Sequence, residues 1–115
     1  MDAHAANQAR TFLELFGELR PHIRSDRNLP ARLQQRLSRD RRFGSRDRRL
    51  YRELLYPAIR HLPWIEAALA LSDETALRAV AWLAADLPAT SRVKAAFVPP
   101  DWPALAPASV TARAD

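Results

Sequence analysis

The chain has no cysteine, and its 115 residues include only two glycines, Gly17 and Gly44, and one lysine, Lys94. The missing thiols exclude disulfides, thiolate metal sites and a cysteine nucleophile. Two isolated glycines leave no Gly-rich loop of the kind that brings backbone amides against a nucleotide or S-adenosylmethionine. No apolar run approaches the roughly 18 residues a transmembrane helix needs. The N-terminal run, Met1-Asp-Ala-His-Ala-Ala-Asn, lacks the basic-then-apolar order of a secretory signal. These absences give the expectation of a cytoplasmic chain with no cofactor and no membrane partner. Alternating strand patterns, internal repeats and heptads are absent as well.

What the chain has in quantity is arginine, seventeen residues against a single lysine. The net charge of +5 is concentrated. Between Arg27 and Arg60 eleven arginines face three acids, Asp40, Asp47 and Glu53, a local excess of +8. A basic patch on a near-neutral body suits a polyanion, with RNA, DNA and a membrane surface as the physical candidates. Guanidinium groups also make bidentate contacts to phosphate that an ammonium does not. With 48% hydrophobic and 27% charged residues the composition is that of a folded chain. Its length suits one domain with one modest core.

The densest charge coincides with the clearest helical pattern. From Ser45 onward, Leu50, Tyr51, Leu54, Leu55, Ala58, Ile59 and Leu62 share one broad apolar face at 3.6 residues per turn, the face of a central bundle helix. Ser45 is placed as its N-cap, and Asp47 falls in a first turn where the helix dipole favours an acid. Arg49, Arg52, Tyr56 and Arg60 follow one another on the opposite side, a ridge of three guanidinium groups and one aromatic ring. Pro57 removes the hydrogen bond to the Glu53 carbonyl, so a kink is predicted there.

Phe43, Asp47-Arg48, Leu50, Glu53-Leu54, Tyr56 and Arg60 resemble the signature helix of the NusB-like domain, as found at the N-terminus of the RsmB/NOP/Sun family of rRNA cytosine-5 methyltransferases. The matched run is Asp-Arg, a hydrophobic residue, Glu-Leu, Tyr and a closing Arg, with Pro57 where the family usually has glycine. The resemblance covers roughly residues 10–100, and this helix is its specific part. It implies a compact all-α bundle of five to six helices. It also implies a domain that binds and orients rRNA beside a separate methyltransferase catalytic domain, whose cysteine chemistry this chain lacks. On that expectation residues 1–97 are the NusB-like helical domain and 98–115 a proline-rich arm, where a linker to such a domain would begin.

The remaining helices are marked by pattern and caps. Ala5, Ala9, Phe12, Phe16, Leu19 and Ile23 predict a first helix from Ala5 to Ile23, with Pro21 near its end. Leu29, Leu33 and Leu37 predict a second, with Asn28 as N-cap, Pro30 in the first turn and Gly44 as C-terminal cap. Pro63 opens a helix running to about Leu71. Ser72 caps the next, in which Glu74 and Arg78 pair at i,i+4 and Pro88 is the stop. Thr90 is placed to cap a last helix through Phe97, with Arg92 and Lys94 exposed. Four prolines between Val98 and Pro107 deny that segment a helix or central strand.

The candidate nucleic-acid contacts are therefore Arg32, Arg36, Arg39, Arg42, Arg46, Arg49, Arg52, Tyr56 and Arg60. The arginines serve phosphate neutralisation and Tyr56 serves base stacking. A purely solvated basic face, with Arg49 paired to Glu53 and with Arg41, Arg42 and Arg48 satisfying Asp40 and Asp47, is the competing account. His4, His22 and His61 show no metal-ligand spacing, and Glu14 and Glu18 lie one turn apart without a partner base. No Gly-x-Ser-x-Gly elbow is present. The expectation is a non-catalytic RNA-binding domain. A helical protein-interaction module and a structural accessory domain are the alternatives.

Overall fold

The computed structural model describes residues 2–98, and within them every regular element is a helix. Six α-helices follow in order: α1 Ala3–Leu19, α2 Leu29–Arg39, α3 Ser45–Arg60, α4 Leu62–Leu71, α5 Asp73–Leu83 and α6 Ser91–Phe97. The expected all-α bundle of five to six helices is what forms. The expected arm lies outside the described residues except for Val98, which is extended.

Helix α3 is the centre, packing against α1, α2, α4 and α5. Its inward residues follow the sequence pattern: Leu50, Tyr51, Leu54, Leu55 and Ala58 are buried, with Leu55 and Ala58 fully excluded from solvent. Around them close Phe12, Leu15 and Phe16 of α1, Leu33 and Leu37 of α2, Trp64 and Ile65 of α4, Val80 of α5 and Val93 of α6. At roughly 1.5–3 kcal/mol for each large side chain, this continuous cluster is the dominant favourable term. Phe43 turns inward as expected, its ring 4.8 Å from that of Tyr51. Trp82 meets Trp64 edge to face at 5.6 Å.

Several boundaries differ from the sequence reading. Helix α1 stops at Leu19, and a 3-10 turn over Arg20–His22 replaces the expected last turn. Pro21 is the cause, since it has no amide to donate to the carbonyl of Gly17. Helix α3 begins with Gly44, not Ser45, in the N-cap position. Gly44 is extended (φ −84°, ψ −175°), so it is not the left-handed terminator of α2, which ends at Arg39. The Asp47 carboxylate reaches back to accept the Gly44 N–H at 3.1 Å, half of a capping box. Asn28 occupies the N-cap of α2 without a side-chain bond, and its own N–H donates to Asp26 at 2.8 Å. Helix α3 continues through Pro57 and ends one turn later, where the His61 N–H donates to the Pro57 carbonyl at 2.9 Å.

Ser72 caps α5 as expected, accepting the Thr75 N–H at 3.0 Å, and Arg78 pairs with Glu74 at 2.9 Å. Helix α5 ends at Leu83, well before Pro88, because Ala84 is already extended. Thr90 directly precedes α6 without capping it. Its buried hydroxyl donates to the Ala85 carbonyl at 2.6 Å and accepts the Leu87 N–H at 3.0 Å, fixing the α5–α6 loop. Lys94 is not exposed: its ammonium donates to the Ala81 carbonyl at 2.8 Å and to that of Ala84, and so caps α5.

Candidate nucleic-acid interface

The arginines singled out above fall into two groups, separated by what each guanidinium meets. In the first, carboxylates from other segments have already taken the charge. Arg36 donates to both oxygens of Glu18 on α1, at 2.5 and 3.3 Å, and to Asp40 at 2.9 Å, and its side chain is only 14% exposed. Arg42 donates to Asp40 at 2.7 Å, lies 3.5 Å from Glu14 and rests over the Phe43 ring at 5.2 Å. Arg32 holds Asp26 at 2.5 Å. These bonds set the carboxylates' titration. Hydrogen bonds from Arg42 first, and then Arg36, hold the Asp40 carboxyl far below the usual range. The Arg36 guanidinium lowers Glu18, and Arg32 lowers Asp26. Glu14 and Glu18, read from sequence as a plain polar face, are the anchors of this network.

The second group lies on α3. At 100° per residue Arg46, Arg49, Arg52, Tyr56 and Arg60 fall within about 120° of the helix circumference. Arg49 and Arg60 are exposed, Arg52 is half-buried, and Tyr56 is 38% exposed, an unusual value for an aromatic in this fold. Among the described residues Arg49, Arg52 and Arg60 have no carboxylate partner. The i,i+4 pair of Arg49 with Glu53 does not form. Among the described residues Arg46 meets only the Pro88 carbonyl, at 3.3 Å. Arg39 on α2 is likewise exposed and unpaired among the described residues. Arg48 donates to the Phe43 carbonyl at 3.0 Å and braces the α2–α3 loop; neither it nor Arg41 satisfies Asp40 or Asp47.

The fold therefore brings Arg46, Arg49, Arg52, Tyr56 and Arg60 together on one helix. It commits Arg32, Arg36 and Arg42 to intramolecular ion pairs. Unpaired guanidinium groups keep their full set of donors for an external anion, whereas a paired one must first break a bond. Among the described residues no three His, Asp or Glu side chains gather as a metal site, and no helix is long and apolar enough to cross a membrane. No protein-family model, curated protein or solved structure matches the chain.

Proposed function

We propose that this chain is a non-catalytic RNA-binding domain that grips single-stranded or loop RNA along the outer face of α3. The observation that carries the reading is the row of guanidinium groups, Arg49, Arg52 and Arg60, that have no carboxylate partner among the described residues, with the exposed Tyr56 ring among them. Three positive charges on one rigid helix follow a phosphate backbone, and an exposed ring between them offers a base a surface to stack on. Residues of α3 also carry the resemblance to the NusB-like domain of rRNA methyltransferases. On that reading the RNA is ribosomal, the setting is the cytoplasm, and the domain positions substrate for a separate catalytic domain.

The test is retention of labelled rRNA fragments by the parent and by the double variant Arg49→Glu, Arg52→Glu. Both positions lie outside the core, so circular dichroism and the melting temperature should hold while binding is lost. Parent binding should weaken by about tenfold or more between 50 and 200 mM salt as counterions are no longer released with profit. Unchanged affinity in the double variant would exclude the α3 face as the site.

A further inference from the structure

The arginine row on α3 carries one acid among its cations. Glu53 follows Arg49 by four residues and precedes Tyr56 by three, so it lies on the same side of the helix as both. The residue is half-buried, not excluded from solvent. Among the described residues its carboxylate has no ion-pair partner. The side-chain hydrogen bonds on α3 belong to Arg46, Asp47 and Arg48. Arg49 stands at the i,i+4 spacing in the less favourable order, cation before acid, and the pair does not form. Both groups keep their hydrogen-bonding capacity for an external partner.

Helical periodicity also fixes the surroundings of Tyr56. Arg52 and Arg60, four residues before and after it, stand about 12 Å apart along the axis with the ring between them. Glu53 flanks the ring on one side at i−3, and Ile59, partly buried against the core, flanks it on the other at i+3. A phosphate placed on Glu53 is repelled. A strand held by this row therefore keeps its phosphates on the arginines and turns a base toward Tyr56. The edge of a base stacked on that ring lies beside a carboxylate, which when ionised only accepts hydrogen bonds. The amino groups of cytosine and adenine donate there, whereas the corresponding oxygen of uracil faces a second acceptor.

We infer that Glu53 reads the base stacked on Tyr56 and selects an exocyclic amino group, so that the α3 face prefers cytidine or adenosine to uridine at that position. The inference rests on the RNA-binding reading above and adds base selectivity to it. Two effects act in the same direction: the amino group gains a charge-assisted hydrogen bond, and the uracil oxygen is turned away by the facing carboxylate. Single-stranded RNA is read in this way, by unstacked bases that stack on aromatic rings and are hydrogen-bonded on their edges.

The experiment uses the full chain and fluorescence anisotropy with a short labelled uridine strand and the same strand carrying one central cytidine. The two bases have rings of the same size, so a difference reports on the edge and not on stacking area. The cytidine strand should bind about fivefold more tightly, the scale of one net hydrogen bond. A central N4,N4-dimethylcytidine, which keeps the ring and has no N–H to donate, should lose that advantage on the unaltered chain. Glu53→Met, an apolar chain of similar length outside the core, should bring the two strands within about twofold of each other while keeping salt-dependent binding. Equal affinity for the uridine and cytidine strands in the parent, tighter binding of the uridine strand, or a preference that survives dimethylation or Glu53→Met would overturn the base reading alone. If no strand binds the parent, the RNA-binding reading falls and takes the role of Glu53 with it.

Discussion

Arg36 donates to Asp40 one helical turn away at 2.9 Å, and the same guanidinium grips Glu18 on the neighbouring helix. Asp40 also accepts from Arg42, through the side chain and the backbone N–H. One carboxylate thus ties the C-terminus of α2 to the loop that leads into α3, and Glu18 ties both to α1. Charge that looks available in a linear count is here consumed in holding three segments together.

Arg36 and Arg49 should consequently behave as different kinds of residue. Arg36→Gln should lower the melting temperature by roughly 5 °C, because it leaves the little-exposed Asp40 short of a partner. It should leave RNA affinity at low salt within about twofold. Arg49→Gln should do the reverse, keeping the melting temperature and weakening RNA binding. Thermal melts and binding isotherms on the two variants decide this. Equal losses of affinity would mean that the α2 network is part of the binding face.

Stability should fall in acid for an identifiable reason. Asp40, Glu18, Asp26 and Glu66 all titrate below their ordinary values of 3.8 or 4.5 in the folded chain, through hydrogen bonds from Arg42 and Arg36, from Arg36, from Arg32, and from Arg24 and Arg20 respectively. A depressed carboxylate binds its proton more readily in the unfolded chain. Its contribution is therefore complete above the unfolded pKa and is lost as pH falls through the folded one. Urea midpoints should be flat from about pH 7 to 5 and drop steadily below about pH 4. Asp40→Asn should start lower at pH 7 and show a shallower acid slope. A slope identical to the parent's would show that Asp40 contributes nothing to the acid transition.

Lys94→Met should destabilise the chain by about 1–2 kcal/mol, the cost of leaving buried carbonyls without a donor. The ammonium bonds the free carbonyls at the end of α5, Ala81 among them, and joins α6 to that end. Chemical denaturation measures the loss. Hydrogen exchange should locate it in the last turn of α5 and in α6. A neutral result would mean that water serves those carbonyls equally well.

The helices themselves were legible because periodic burial and capping chemistry are local. The apolar spacing on α3, the Ser72 cap and the Glu74–Arg78 pair act within one or two turns, and each forms as read. Boundaries were less legible where two signals competed. Ser45 is a good N-cap by type, yet Asp47 reaches the Gly44 amide and sets the helix start one residue earlier. At Leu19 the missing amide of Pro21 outweighed an apolar pattern that runs on to Ile23.

The candidate site was legible only in part, for a reason of range. The sequence by itself determined that the chain folds into helices, that α3 would be central, and that positive charge would crowd residues 27–60, because these follow from spacing and composition. Only the tertiary structure decided which arginines remain available. Arg36 is neutralised by Glu18, eighteen positions away, and Arg42 by Glu14 as well as by neighbouring Asp40. The partners of Lys94 lie at the end of another helix, and Gln8, Arg46 and Arg92 line one cleft built from three segments. Ionic and hydrogen-bonding partners are chosen by distance in space, and only packing of the helices sets that distance.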